Sequence, residues 1–174
     1  PLDLAVANAG IGGAGGGAAA EGARTRQIFA VNVGGTLNTV EPALVRMLAR
    51  RRGQIALMSS LAAFRGMPSA PAYCASKAAV RSYGEGLRGR LRASGIGVSV
   101  ICPGFVRTPL SADNPFPMPL IMEPERAARI IKAGLARRRA QIAFPWPSYL
   151  GVLLISALPA GLADRWLARL PAKE

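Results

Sequence analysis

Histidine is absent from this 174-residue sequence, and its absence limits the chemistry available to the chain. Without an imidazole, a Ser-His-Asp triad, a Cys-His nucleophile pair and the usual histidine-containing zinc sites are all excluded. Only two cysteines are present, Cys74 and Cys102, and they have no CxxC spacing. We therefore expect two buried thiols in a reducing, cytoplasmic compartment, with no metal site and no disulfide framework. Proton transfer must use Tyr, Lys, Asp, Glu or Ser side chains.

Acidic and aromatic residues are also scarce. Nine acidic residues face 22 basic ones, which gives a net charge of +13, and aromatic residues make up 6% of the chain. Such a charge raises nucleic acid or an anionic membrane as a partner. The arginines cluster in runs such as 50–52 and 137–139, without the interleaved aromatic residues that a base-stacking surface needs. We interpret the runs as solvated helix ends, where cations are favoured, and expect no nucleic-acid partner.

The sequence opens without an initiator methionine and without the pattern of a signal peptide. Pro1, Leu2 and Asp3 lead directly into an apolar stretch that has the composition of a buried strand. These features predict a chain that is truncated at its amino terminus.

Short apolar runs rich in β-forming residues alternate with longer segments of helical spacing. The predicted strands are residues 2–7, 54–58, 98–102 and, as a short last strand, 141–144. The predicted helices are residues 21–30, 32–50, 73–92 and 124–138. Pro42 should kink or divide the second helix. This alternation predicts an α/β fold with a doubly wound parallel sheet and crossover helices.

Glycine is concentrated in two places that need an explanation. The patch at residues 10–17 does not match the spacing of a dinucleotide-binding turn, so a flexible surface loop is favoured over a phosphate-cradling loop. Gly84, Gly86 and Gly89 lie inside a predicted helix, where each costs roughly 1 kcal/mol relative to Ala. They predict the close approach of another helix. The proline-rich stretch that ends at Pro119 is expected to form a loop over the site.

The last 29 residues differ from the rest of the chain, so we divide it into a domain at 1–145 and an apolar or amphipathic extension at 146–174. The apolar run at 149–158 is too short to cross a bilayer. Beyond it, the spacing of an amphipathic helix is visible in Leu162, Arg165, Trp166, Leu167, Arg169 and Leu170. The segment 149–170 is expected to pack on its own domain or on a partner subunit, or to contact a membrane peripherally.

Tyr73 and Lys77 are the residues on which the functional interpretation depends. Four positions apart on a helix, they lie on one face, one turn from each other. Because a nearby ammonium favours the phenolate, it should lower the pKa of the tyrosine from its usual value of about 10. Ser60 stands thirteen residues before Tyr73 and follows a predicted strand. Ligands bind at the carboxyl ends of such strands in open α/β sheets.

A wider set of residues resembles the short-chain dehydrogenase/reductase family over about the first 110 positions. The set is Asn8-Ala9-Gly10, Asn32, Ser59-Ser60, Tyr73-Cys74-Ala75-Ser76-Lys77 and Pro103-Gly104-Phe105-Val106-Arg107-Thr108. The resemblance implies that Ser60 polarises the reacting oxygen and that Tyr73 is the general acid/base. It implies that Lys77 lowers the pKa of Tyr73 and binds the nicotinamide ribose, and that Asn32 holds a water linking Lys77 to solvent.

The same resemblance implies a cofactor, NAD or NADP, bound to a Rossmann-like sheet. Asn8, Ala9 and Gly10 would line it, together with Tyr73 and Lys77. Its nicotinamide would be bordered by Pro103, Gly104, Val106 and Thr108. The first strands of the family fold and its glycine-rich phosphate turn should precede residue 1, so the sequence predicts a sheet that lacks them. The residues that select NAD or NADP would precede residue 1 as well.

Ordinary structural roles are the alternative for each of these residues. Asn32 also suits a helix N-cap, and Ser60 and the pair Pro103-Gly104 suit strand-end turns. Because all of these residues occur in the order and spacing of the family, the set together predicts an oxidoreductase that transfers hydride between nicotinamide and a carbonyl or secondary alcohol. The apolar loop at 116–122 and the apolar tail favour a hydrophobic substrate, and we expect a homo-oligomer. The rival hypothesis is a non-catalytic scaffold that acts in oligomerisation or membrane association.

Overall fold

The computed structural model describes residues 1–12, 17–112 and 117–167. Its sheet has four parallel strands in the order β1-β2-β3-β4. They are β1 (Leu4–Ala7), β2 (Gly53–Met58), β3 (Ile96–Pro103) and β4 (Gln141–Phe144). Each predicted strand is therefore confirmed, with ends that shift by no more than two residues. β1 lies at one edge of this sheet, with Leu4 and Val6 exposed.

Helices connect and flank the strands. Between β1 and β2 run α1 (Gly17–Phe29), a π-helical turn (Ala30–Gly34) and α2 (Gly35–Arg50). A 3-10 turn (Leu61–Ala63) and α3 (Pro71–Arg90) join β2 to β3. The remaining helices are α4 (Pro109–Ala112), α5 (Pro124–Ala136), α6 (Trp146–Ala157) and α7 (Ala160–Leu167).

The sheet is covered on both faces, as a parallel sheet must be to bury its apolar strands. Alternate residues of β2 separate the two cores: Ile55 and Leu57 belong to one cluster and Ala56 to the other. The larger cluster includes apolar residues of α2 and α3, among them Met47 and Val80. The smaller cluster includes residues of α5. The predicted doubly wound α/β fold is therefore confirmed.

The predicted break between the first two helices is wrong. α1, the π-turn and α2 follow one another without an intervening loop. The hydroxyl of Thr36 donates to the carbonyl of Asn32 at 2.6 Å, which helps to continue the backbone spiral through the turn. Pro42 lies within α2 and does not divide it. It is exposed, so the carbonyl that its ring deprives of a partner can be hydrated.

The prediction that another helix approaches the glycines of α3 is wrong at Gly84. A Cβ atom at Gly84 would lie 2.6 Å from side-chain atoms of both Leu57 and Val100, which belong to β2 and β3. The close neighbour is therefore the sheet. Gly86 and Gly89 have open space where a Cβ would stand. Only one of the three positions needs a residue without a side chain.

The carboxyl-terminal helices pack partly on the domain. Tyr149 and Val152 of α6 contact the larger core, and the Tyr149 ring meets the edge of the Phe64 ring at 5.4 Å. The Ser156 hydroxyl donates to the Phe64 carbonyl at 2.9 Å. Across the described ranges, no helix has the length and apolarity needed to cross a membrane. Of the predicted amphipathic helix, the Trp166 side chain, Arg169 and Leu170 lie outside the described part.

Candidate active site

The predicted site residues meet at the carboxyl edge of the sheet, because β1, β2 and β3 are parallel and end there. Ser59 extends β2 by donating its backbone N–H to the Ile101 carbonyl at 2.8 Å. Ser60 follows in an extended conformation and caps the 3-10 turn, accepting a hydrogen bond from the Ala62 N–H at 3.1 Å. The Pro103 carbonyl, at the end of β3, lies 3.4 Å from the Ser60 hydroxyl. This cap fixes the hydroxyl at the mouth of the sheet.

Tyr73 lies in the first turn of α3, which begins at Pro71, a residue suited to the first helical position. Burial raises the pKa of Tyr73, and the nearby side chain of Ser60 opposes that rise in part. Lys77 alone therefore does not bring the pKa of Tyr73 below its usual value. Desolvation of the phenolate outweighs the contribution of Ser60 that favours it.

Lys77 follows Tyr73 by one helical turn and is directed inward, with 3% of its surface exposed. Its Nζ donates to the Met58 carbonyl at 2.9 Å and lies 5.8 Å from the centre of the Tyr73 ring. Burial lowers the pKa of Lys77 to about 8. The Ser59 hydroxyl donates to the Lys77 carbonyl at 2.8 Å and so attaches this turn of α3 to the end of β2.

Two glycines of the glycine-rich patch line the site. A Cβ atom at Gly10 would lie 3.1 Å from the Lys77 Nζ, and one at Gly12 would lie 3.5 Å from a ring carbon of Tyr73. The backbone after β1 thus passes directly over both functional side chains. Gly10 and Gly12 are therefore close-approach positions, which the interpretation of the patch as a flexible surface loop missed. Residues 13–16 lie outside the described part.

Asn32 projects from the π-turn and is almost fully buried. Its Oδ1 accepts the Ile11 N–H at 2.8 Å, and its Nδ2 donates to the Ile11 carbonyl at 3.0 Å. Nδ2 also donates to the Ser76 hydroxyl at 2.9 Å. Asn32 is therefore not a helix N-cap. It joins the loop that follows β1 to the helix that carries Tyr73 and Lys77.

Ser76 is the site residue that the sequence interpretation missed. Its hydroxyl accepts from Asn32 and donates to the Tyr73 carbonyl at 2.8 Å. The available signal was its position directly before Lys77 in the motif already singled out. A buried serine in the middle of a helix usually has such a partner, since an unpaired hydroxyl there is unfavourable.

The remaining predicted cofactor residues frame the opening of the site. Asn8 and Ala9 are exposed at the end of β1. The Gly104 N–H donates to the Phe144 carbonyl at 2.7 Å, which attaches the end of β3 to β4. Val106 forms an isolated bridge to Met122 and, with Thr108, is held by hydrogen bonds to the Ser111 hydroxyl. Within the described ranges, no three His, Cys, Asp or Glu side chains come together as a metal site would require.

Comparison with known proteins agrees with this geometry. A family model described as short chain dehydrogenase matches residues 1–115. An uncharacterised oxidoreductase of Myxococcus xanthus is 41% identical over 169 residues, which cover 97% of this chain and 67% of that protein. A solved short-chain dehydrogenase of Mycobacterium paratuberculosis bound to NAD has a TM-score of 0.72 at 29% identity, over 86% of this chain and 65% of that one.

A second solved structure supports the fold alone. The short-chain dehydrogenase of Sphingobium yanoikuyae in complex with NADPH has a TM-score of 0.75 at 22% identity, over 91% of this chain and 66% of that one. This chain thus spans about two thirds of the length of each of these three proteins. From the family match, the identity to the Myxococcus protein and the shared fold, the chain belongs to the short chain dehydrogenase family of NAD(P)-dependent oxidoreductases.

Proposed function

We propose that this chain carries the catalytic residues of an enzyme that transfers hydride between NAD or NADP and a carbonyl or secondary alcohol. The observation that supports it most is that the Ser60 side chain, the Tyr73 ring and a buried Lys77 ammonium meet at the carboxyl edge of the sheet. A scaffold has no need of this arrangement, so we do not propose the non-catalytic alternative.

The residues around the site fit a flat ring and a ribose. Gly10 and Gly12 leave no side chain between the loop backbone and the functional groups, so a planar group can approach closely. The Lys77 Nζ carries three N–H donors, of which the Met58 carbonyl takes one, which leaves donors for ribose hydroxyls. Asn8 and Ala9 would hold the cofactor on one side, and Pro103, Gly104, Val106 and Thr108 on the other. Relatives of solved structure contain NAD and NADPH.

A reduced nicotinamide bound here would supply a hydride, that is, a proton with two electrons, to the carbonyl carbon. Ser60 would hold the carbonyl oxygen by a hydrogen bond, and Tyr73 would donate its phenolic proton to that oxygen as the alcohol forms. Lys77 would stabilise the phenolate that remains. The proton would be replaced from solvent through Lys77 and the water held beside Asn32.

The raised pKa of Tyr73 bears on the direction of the reaction. A protonated phenol is the donor that ketone reduction requires, and a tyrosine whose pKa is raised above about 10 is protonated at neutral pH. Alcohol oxidation requires the phenolate. We infer that the positive charge of an oxidised nicotinamide, acting with Lys77, would lower the pKa of Tyr73 for that direction.

A hydrophobic substrate is supported by apolar side chains beside the site. Leu110 is 50% exposed, and its Cδ1 would lie 3.3 Å from a Cβ at Gly12, the residue next to the Tyr73 ring. Leu120, in the apolar loop, is also exposed. An exposed leucine beside the Tyr73 ring favours an apolar ligand over a charged one. Phe116 of the same loop lies outside the described part.

The carboxyl-terminal extension is our candidate for contact with a second subunit or a membrane. α6 leaves several large apolar side chains exposed, namely Trp146, Leu150, Leu153, Leu154 and Leu158. Exposed apolar patches of this kind are typical of interaction surfaces. We propose that the natural protein is a homo-oligomer and that residues 149–170 make peripheral contacts.

The test is Tyr73→Phe in the natural full-length protein. We expect turnover to fall by at least about 10²-fold, while NADH or NADPH still quenches or shifts protein fluorescence as in the wild type. Oxidation of each cofactor would be followed with aliphatic ketones of increasing chain length, and kcat/KM should rise with length if the substrate is hydrophobic. Tyr83→Phe, on the same helix, is the matched control and should leave turnover unchanged. Undiminished turnover in Tyr73→Phe would refute the proposal.

A further inference from the structure

Three arginine clusters that are far apart in sequence meet at the amino edge of the sheet. Each lies at the end of a crossover helix, in its last turn or just after it, and comes before a strand: one before β2, one before β3 and one before β4. We call them the amino-edge arginines, and they are Arg50, Arg51, Arg52, Arg88, Arg90, Arg92, Arg137, Arg138 and Arg139. All nine are exposed. Because the strands are parallel, this edge is opposite the one that carries Ser60 and Tyr73.

Hydrogen bonds unite the three clusters into one surface. An Nη2 of Arg138 donates to the Gly53 carbonyl at 2.7 Å and to the Gly95 carbonyl at 3.2 Å. The Nη2 of Arg51 donates to the Ala93 carbonyl at 2.9 Å. The loops that precede β2, β3 and β4 are therefore in direct contact.

The charge of this surface is nearly unopposed. Asp3 lies 3.5 Å from Arg50 and 3.7 Å from Arg52, and it is the carboxylate paired with the cluster in the described part of the chain. Glu85, one turn before Arg88, is paired with Arg81. Attraction to the end of a helix dipole favours a cation in the last turn, but it does not require three cations around each of three helix ends.

The exposed apolar surface of α6 lies toward the other edge of the sheet, because α6 begins at Trp146, directly after the carboxyl end of β4, where Pro145 lies beside Gly104. Arg139, Gln141 and Tyr149 line one shallow cleft of about 270 Å³. The Gln141 amide donates to the Tyr149 hydroxyl at 3.0 Å, which holds the first turns of α6 against β4. On these turns Trp146 is 71% exposed and Leu150 is 47% exposed.

We propose that the amino-edge arginines form a docking surface for a membrane that contains anionic phospholipids. The guanidinium group pairs with phosphate through a planar fork of donors, and a cluster of basic residues is attracted to the negative potential of anionic lipids. No aromatic residue stands among the nine arginines to stack on nucleic-acid bases. In this orientation the catalytic edge faces away from the bilayer, and the proposal is independent of the proposed reaction.

Vesicle co-sedimentation of the full-length protein tests the proposal. We expect binding to vesicles of phosphatidylcholine with phosphatidylglycerol, little binding to phosphatidylcholine alone, and release as NaCl rises from about 50 to about 500 mM. The triple variant Arg88→Gln, Arg90→Gln, Arg92→Gln should bind about 100-fold more weakly, because each arginine near an anionic surface contributes about fivefold. Replacing the same three residues with Lys should retain most of the binding.

The matched control removes equal charge elsewhere, with Arg26→Gln, Arg126→Gln and Arg129→Gln, and should bind nearly as the wild type does. Urea unfolding of each variant checks that the fold is intact. Equal losses in the two Gln variants would overturn the proposal, since they would show a response to net charge alone. Salt-insensitive binding to neutral vesicles would overturn it in favour of α6 acting alone. Tighter binding to duplex DNA than to anionic vesicles at the same salt would overturn it in favour of a nucleic acid.

Discussion

The side-chain amide of Asn32 donates a hydrogen bond of 2.9 Å to the hydroxyl of Ser76. Ser76 in turn donates to the Tyr73 carbonyl at 2.8 Å, so a π-turn of the first crossover is joined to the helix that carries the proposed acid/base. Asn32 also pairs with both backbone groups of Ile11. Asn32 therefore has a structural role in addition to its proposed role in binding a water of the proton relay. Its hydrogen bonds connect the loop that follows β1 to α3.

Asn32→Ala should reduce the free energy of unfolding by about 2–3 kcal/mol, because it leaves buried backbone and hydroxyl groups without partners. Urea denaturation at neutral pH measures this change. Asn38→Ala, at an exposed position of α2, is the control and should change stability by no more than about 0.5 kcal/mol. Equal effects at the two positions would show that the Asn32 hydrogen bonds contribute nothing.

Gly84→Ala and Gly86→Ala should have opposite effects. A methyl group at Gly84 would meet Leu57 and Val100 at 2.6 Å, so we expect destabilisation by about 1–3 kcal/mol from overpacking. A methyl group at Gly86 meets nothing within 4 Å, and we expect stabilisation by up to about 1 kcal/mol from helix propensity. Thermal or urea unfolding of the pair measures both. A destabilised Gly86→Ala would indicate that this exposed face of α3 is covered in solution.

Lys77→Met should change how stability depends on pH. The pKa of Lys77 is lowered to about 8 in the folded state, while in the unfolded chain it is near 10.4. Between these values the unfolded chain holds more protons, so the Lys77 contribution to the unfolding free energy rises with pH. It is most unfavourable below pH 8, where both states are protonated.

The raised pKa values of Cys102 and Tyr73 act in the opposite sense at alkaline pH, so the comparison is made between the wild type and Lys77→Met. From pH 7 to pH 10 the wild type should gain roughly 2–3 kcal/mol relative to the variant. Urea unfolding at several pH values measures this difference. A constant difference would contradict a desolvated Lys77.

Ser60→Ala should raise the pKa of Tyr73 further, because the variant loses the hydroxyl that opposes the effect of burial. The chain has three tyrosines, so NMR of protein labelled at the tyrosine Cζ can follow each one through an alkaline titration. Tyr83→Phe and Tyr149→Phe assign the two other signals. A lowered or unchanged pKa of Tyr73 in Ser60→Ala would contradict this effect of the Ser60 hydroxyl.

Local patterns predicted most of the architecture. Alternating apolar strands and helices indicated a parallel sheet, and strand ends were correct within two residues because buried apolar runs have clear limits. The break near residue 31 was predicted wrongly, although Asn32 is of a residue type that suits a helix N-cap. Whether a chain ends one helix there or passes through a π-turn depends on whether Asn32 has a buried partner.

The sequence by itself determined that Tyr73 and Lys77 share one face of a helix, because four residues make about one turn whatever surrounds them. It also determined that Ser60 would follow a strand. Only the tertiary structure decided that Lys77 is desolvated, that Gly10 passes over it, and that Ser76 receives the Asn32 amide from 44 residues away. It likewise brought Arg138 to Gly53, 85 residues away. Residue spacing determines on which face of a single helix or strand a side chain lies, whereas burial and hydrogen bonding depend on how separate elements pack.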